Sequence, residues 1–177
     1  MDLYSILMND NVVDEINNNI KYLSNVVPEI TAMFNFPHKH PHHHLNVWHH
    51  TLYALSLSEK DFEVRLTLLL HDIGKPFSYI EENGIRHFPN HAQVSAVMTR
   101  NILTRLKYDD IFIDRICYLV RFHDTPIKEN DIKNNYELSY KRFLVQECDA
   151  LAHHPNKLEK RKIYLAKTKK LLNYHQR

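Results

Sequence analysis

An all-α bundle of about six to eight helices is the fold this sequence of 177 residues predicts. Apolar residues recur at three- and four-residue spacing through most of the chain, the period of helices with one buried face. Only two glycines occur, Gly74 and Gly84, too few for a turn-rich β fold or a Gly-rich dinucleotide loop. Gly74-Lys75 is followed by Pro76 and has no glycine five residues upstream, which excludes a Walker A loop. Nothing approaches the roughly 18 consecutive apolar residues of a membrane span.

The elements follow in order. Val13, Ile16, Ile20, Leu23 and Val27 make one helical face, stopped by Pro28. A short helix follows from Pro28 to Phe34. The segment from Phe36 to His44 carries two prolines and reads as irregular. Asn46 is a good N-cap for a helix reaching about Leu57. Asp61 caps the next helix, which ends at Gly74, a natural residue just beyond a helix C-terminus. Residues 78–89 alternate aromatic and polar side chains around Glu82-Asn83-Gly84, as a small hairpin or an ordered loop would. Further helices are expected at 91–107, 109–122, 137–153 and 157–174, with a polar loop over 124–136. No repeat, low-complexity tract or long linker divides the chain, so one domain is expected over 1–177.

Composition narrows the function classes. A formal charge of +2 argues against a generic nucleic-acid binder. From Lys157 to Lys170, however, there are seven basic residues and one acid, Glu159. That run is either the solvated face of a terminal helix or a surface for phosphate or RNA. Cys117 and Cys148 lie in apolar runs and read as small core residues of a reducing compartment. No basic n-region followed by an apolar h-region opens the chain, so the expected location is the cytoplasm.

Fourteen histidines carry the strongest functional signal. His50 shares the helical face of Val47 and Ala54, whereas His49 lines up with Leu45, Tyr53 and Ser56. His71 and Asp72 follow Leu68 by three and four; His91 precedes Val94 by three; His123 follows Val120 by three; Asp149 follows Val145 by four. Each therefore lies on an inward face. Imidazoles and carboxylates directed into a core are costly unless something binds them. The set suits a divalent ion such as Mn, Fe, Co, Ni or Zn, with Mg also compatible. His71 and Asp72 stand about 100° apart on an ideal helix, so they converge on one ion only near a helix C-terminus. Asp72 is also free to bridge to a second ion.

The order His50, His71-Asp72, Asp149 resembles the HD-domain superfamily of metal-dependent phosphohydrolases. The surrounding words match as well: Asn46-Val47-Trp48-His49-His50-Thr51-Leu52, Leu68-Leu69-Leu70-His71-Asp72-Ile73-Gly74-Lys75-Pro76, Phe88-Pro89-Asn90-His91, Leu119-Val120-Arg121-Phe122-His123 and Asp149-Ala150-Leu151-Ala152. The likeness is greatest to the HD domain attached to bacterial tRNA nucleotidyltransferases and to its free-standing relatives. It covers a motif-bearing core of about 44–152, with a helical extension over 1–35 and the basic helix over 157–174. No upstream Gly-rich, paired-Asp polymerase segment is found, so nucleotide addition is not expected of this chain alone.

The resemblance implies His50, His71, Asp72 and Asp149 as ligands of a first metal. It implies His91 and His123 as ligands of a second metal or as groups facing substrate. The implied reaction is attack of a metal-bound hydroxide on a nucleotide or other phosphate mono- or diester. Asp72 would hold the ion and orient the nucleophile. Lys75 would hold a phosphate oxygen, and Arg121 and His123 would neutralise charge or protonate the leaving oxygen. His44 could rim the pocket, and His153, four after Asp149, could line the same groove. The rest of the His38–His44 cluster reads as surface, and so does the His153-His154 pair unless His153 reaches that groove. Trp48, Phe77, Tyr79 and Phe88 read as packing residues or base-stacking platforms. Two other functions are carried forward: an HD-fold di-iron oxygenase, and a metal-stabilised module that binds RNA or a partner through the basic C-terminal helix.

Overall fold

A computed structural model describes residues 2–40, 45–153, 155 and 158–176. Eleven α-helices and one β-hairpin occur among them. The helices are α1 (Leu3–Leu7), α2 (Val12–Asn18), α3 (Ile20–Val26), α4 (Val47–Ser56), α5 (Phe62–Leu70), α6 (Lys75–Ser78), α7 (His91–Arg105), α8 (Asp110–Arg121), α9 (Glu129–Asn134), α10 (Tyr136–Leu151) and α11 (Leu158–His175). A 3₁₀ segment, Pro28–Met33, follows α3, and strands β1 (Ile80–Glu82) and β2 (Ile85–His87) follow α6. The all-α class stands. The helix count exceeds six to eight because α1, α6 and α9 are short additions and the first amphipathic stretch is split.

That split falls at Asn19. Its φ and ψ of −114° and 21° leave the helical region, although its N–H still reaches the Glu15 carbonyl at 3.1 Å, and its side chain donates to the same carbonyl at 2.9 Å. The apolar period runs on across the break, so periodicity alone did not show it. The segment 124–136 contains α9 rather than only loop; Ile132 is its one buried side chain.

α5 organises the fold. Every residue from Val64 to Leu70 is buried, as expected of a helix enclosed on all sides. It packs against α1, α4, α8 and α10. Each fully buried leucine here contributes about 1.5–3 kcal/mol, which holds the C-terminal end of α5 firmly in the interior. The Arg65 guanidinium donates to the carbonyls of Leu7 at 2.7 Å and Asn9 at 2.8 Å, satisfying acceptors left open at the end of α1. One hydrophobic cluster extends from Leu3 in α1 to Leu172 in α11.

The expected caps are in place. Asn46 Oδ1 accepts from His49 N at 2.8 Å, and Asp61 Oδ1 accepts from Val64 N at 3.0 Å. The hairpin is antiparallel, pairing Ile80 with His87 and Glu82 with Ile85. Asn83 and Gly84 form its turn with φ of 53° and 76°, the left-handed pair a two-residue hairpin needs. Gly74 has a different role from the expected one. α5 ends at Leu70, and Gly74 has an ordinary right-handed φ of −82°. A Cβ there would lie 2.6 Å from Ser95 N and 2.8 Å from His91 O. Gly74 is required by close approach to α7, not by helix termination. No helix among the described residues is long and apolar enough to cross a membrane.

Candidate metal centre

The expected ligands come from five places in the chain and meet at the floor of one cavity. His50 is supplied by α4, His71 and Asp72 by the turn after α5, His91 by the start of α7, His123 by the turn after α8, and Asp149 by the last turns of α10. All but His91 are buried, and His91 is half-buried. His71 and Asp72 leave the helix just where α5 ends, which lets neighbouring side chains point the same way.

Ring orientation is set by the backbone. His71 Nδ1–H donates to Leu68 O at 2.7 Å, His91 to Phe88 O at 3.0 Å, and His123 to Val120 O at 2.7 Å. Each bond reaches back three residues. His153 donates to Asp149 O at 2.7 Å and His50 to Ala152 O at 3.3 Å. Carbonyls only accept, so Nδ1 carries the proton. In His50, His71, His91 and His123 this leaves Nε2 as the atom turned to the site.

Two groups of donors result. In the first, His50 Nε2 lies 2.8 Å from Asp149 Oδ1 and 3.8 Å from Asp72 Oδ2. His71 Nε2 lies 3.3 Å from Asp72 Oδ2 and 3.6 Å from Asp149 Oδ1. In the second, His91 Nε2 and His123 Nε2 are 3.3 Å apart, with Asp72 Oδ1 at 3.5 and 3.9 Å. Donors bound to one ion by bonds of about 2.1 Å stand roughly 3.0–3.4 Å from one another. The separations in the two groups run from 2.8 to 3.9 Å and bracket that spacing, and Asp72 belongs to each group through a different oxygen.

The electrostatics call for a cation. His71 Nε2 and Asp72 Oδ1 are buried with no hydrogen-bond partner among the described residues. Two imidazole lone pairs face each other between His91 and His123. Burial works against charging His71, yet the Asp72 and Asp149 carboxylates outweigh it and hold its pKa at about 10. Burial likewise works against ionising the two aspartates. Even so, His71 and Lys75 keep Asp72 well below the usual carboxylate range, and His153 and His50 do the same for Asp149. Burial, reinforced by His71 and His91, pushes His123 down to about 4. A mixed imidazole–carboxylate set with orphaned inward atoms fits a divalent ion of the borderline class.

Above the floor is a cavity of about 580 Å³. Asp72, Lys75, His91, His123, Asp149 and His153 all line it. Lys75 is buried; its Nζ donates to Asp72 Oδ2 at 2.7 Å and to His38 Nε2 at 3.2 Å, and lies 5.3 Å from the centre of the Phe88 ring. Arg121 is exposed and does not line this cavity. It lines a smaller depression, of about 340 Å³, shared with His91 and Asp124. His44 lies outside the described residues. His49 is exposed and bonded to Asn46.

Two readings of surface histidines are corrected. His38 is 1% exposed. It sits under an isolated bridge between Pro37 and Asn46 and donates Nδ1–H to Leu45 O at 2.7 Å. Burial and the nearby Lys75 push its pKa down to about 2, so it is the neutral acceptor for that lysine. His153 is buried as well, 5.0 Å ring to ring from His50, and burial brings it to about 4. Sequence reasoning missed Asp124, Lys160 and Arg161 as lining residues. It also missed buried Arg142, which donates to Phe122 O at 3.0 Å, to Thr125 O and to Pro126 O at 3.2 Å. Arg142 thereby shapes the turn holding His123. Arg142 stands three residues before Val145 in the sequence, but only the tertiary fold supplies its partners.

Fold and site together define an all-α domain built around a buried imidazole–carboxylate cluster open to a cavity. The model of the HD domain family matches residues 42–168, and the chain belongs to that family. Among curated proteins it is similar to an A-adding tRNA nucleotidyltransferase of Deinococcus radiodurans, 33% identical over 116 residues, 62% of this chain and 27% of that protein. It is similar to a CC-adding tRNA nucleotidyltransferase of Thermus thermophilus, 31% identical over 132 residues, 71% of this chain and 29% of that protein. A multifunctional CCA protein of Hahella chejuensis is 29% identical over 133 residues, 72% of this chain and 30% of that protein. The chain thus spans less than a third of the length of these relatives.

Proposed function

We propose that this protein is a metal-dependent phosphohydrolase acting on a nucleotide or a nucleotide-ended RNA. The observation that carries the reading is the sharing of Asp72 by two donor groups on the floor of a cation-lined cavity. His50, His71, Asp72 and Asp149 would hold one divalent ion, and Asp72, His91 and His123 a second. A divalent ion there supplies Lewis-acid activation of water and of the phosphoryl group.

The chain's own groups do the rest. Lys75, fixed between Asp72 and His38, presents a buried ammonium toward the phosphate oxygens. Arg161 and Lys160 extend positive charge up the α11 wall. Asp124 Oδ2, 3.9 Å from His91 Nε2, is the carboxylate at the cavity edge placed to accept a proton from water. A wall of cations suits an anionic substrate, and a phosphate ester is one. The relatives act on tRNA by name, and an RNA end approaching along α11 is consistent with Lys160 and Arg161.

The test is to strip the protein of metal, reload it with Mn, Fe, Co, Ni, Zn or Mg, and assay phosphate release. The panel would contain nucleoside monophosphates and 2′,3′-cyclic phosphates. Asp72→Ala is expected to lose bound metal and at least about 100-fold in hydrolysis. Retention of both would overturn the proposal. So would iron loading with a mixed-valent EPR signal and no ester hydrolysed with any metal.

A further inference from the structure

Eight arginines fall among the described residues, and six are held by protein acceptors. Arg65 donates to Leu7 O, Arg86 to Glu81, Arg100 to Asp114, Arg105 to Glu29, Arg115 to Glu63, and Arg142 to Phe122 O. The remaining two, Arg121 and Arg161, form no hydrogen bond or ion pair among the described residues. These two are the arginines that open onto the candidate centre. Arg161 lines the main cavity, and its charge reaches His153. Arg121 lines the second depression. The two depressions are neighbours that share Phe88, His91, Asp124 and Thr125 in their walls. Of the donor cluster, Asp72, His91 and His123 all line the larger cavity, and His91 lines both.

A guanidinium left without a protein acceptor beside a phosphate-type site is a preformed fork for a phosphate. The cavity of about 580 Å³ is large enough for one nucleotide. The smaller depression has almost no apolar lining, and Asn90 and Gln93 join Arg121 there. It suits a charged group rather than a base. Asp124 is the one carboxylate in it, half-exposed and reaching 3.9 Å from His91 Nε2, toward the donor cluster. A carboxylate turned to the cations leaves the Arg121 side positive.

We infer that the ligand carries at least two phosphates: one over the donor cluster, facing Arg161, and a second in the Arg121 depression. This rests on the phosphate-ester reading and deepens it, because a nucleoside monophosphate would leave Arg121 unused. The second phosphate belongs either to a neighbouring nucleotide of an RNA strand or to a nucleoside diphosphate.

Binding can be read apart from turnover. Metal-free and metal-loaded full-length protein would be titrated with AMP, ADP and the 5′-phosphorylated dinucleotide pApA by calorimetry. Arg121→Gln is expected to weaken pApA or ADP about tenfold more than AMP, the loss of one charge-assisted contact. A selective loss for pApA identifies the strand, and one for ADP identifies the diphosphate. Arg161→Gln is expected to weaken all three. Equal effects of Arg121→Gln on AMP and the two-phosphate ligands, or no effect on any, would overturn the inference. Neither side chain has a hydrogen-bond or ion-pair partner among the described residues, so the variants should melt with the wild type. Absence of hydrolysis with every metal would defeat the catalytic reading while leaving a selective binding loss intact.

Discussion

Replacing Gly74 by alanine puts one methyl group between the turn bearing His71-Asp72 and helix α7. At an unstrained glycine, such a change stabilises a protein by about 0.4–1 kcal/mol through the unfolded chain. Gly74 has a permitted φ of −82°, so nothing in its own backbone opposes alanine. The neighbours oppose it. The Cβ would stand 2.6 Å from Ser95 N, where ordinary contact begins at 3.4 Å, so the two segments must part by about 0.8 Å. The obstructing atoms include backbone of α7, which cannot turn aside as a side chain would. The same movement stretches the 2.9 Å hydrogen bond from Gly74 N to Ser95 Oγ. Overpacking of about 1–3 kcal/mol and a weakened buried hydrogen bond of about 1 kcal/mol set the expected loss. With an m-value of about 2–3 kcal/mol/M, the urea midpoint falls by roughly 1 M. The displaced helix begins with His91, so the second donor group should suffer more than the first. Metal analysis of the variant should show the bound-ion count reduced while one ion is retained. An urea midpoint equal to or above that of the wild type would refute this account of Gly74.

The metal-free protein should be most stable near neutral pH. His71, raised to about 10 in the fold, contributes stability that is complete below its unfolded value of about 6.5 and is lost as pH rises toward 10. His123 and His153, both lowered to about 4, act with the opposite sign: the unfolded chain binds more protons between about 4 and 6.5, so stability falls on acidification through that range. Thermal unfolding in chelator across pH 4–10 checks this, and a midpoint still rising from pH 7 to 10 would contradict the His71 assignment. Arg142→Met should cost about 3 kcal/mol, since it strips donors from the buried carbonyls of Phe122, Thr125 and Pro126. Its calorimetric midpoint should drop by about 6–12 °C for a chain of this size; a shift within 2 °C would show that the turn does not depend on this side chain.

Helical phase was a good guide wherever an element buries one face. It located His50, His71, Asp72, His123 and Asp149 on inward surfaces because each sits a turn from aliphatic neighbours on the same helix. Local chemistry did as well for Asn46, Asp61 and the Asn83-Gly84 turn, whose functions depend only on adjacent residues. What escaped was set by distant parts of the chain. His38 follows a proline in a histidine-rich segment with no period, and its burial comes from the Pro37–Asn46 bridge and from Lys75. Arg142 is fixed by carbonyls some 20 residues away. Gly74 satisfies two constraints in sequence, because helix ends and helix crossings both favour the residue and only the position of Ser95 separates them. α9 carries a single buried apolar residue, Ile132, too little for a periodic signal.

The imidazoles of the centre are aimed by main-chain carbonyls, three of them on the residue one turn back. A peptide carbonyl is present whatever side chain its residue bears. Substitution around the cavity can therefore change its shape and charge without releasing the rings from their settings. The cavity walls that carry Lys160, Arg161 and Arg121 are free to diverge while the donor geometry stays constant. The domain separates what must be preserved from what can be varied, and the boundary between the two runs between backbone and side chain.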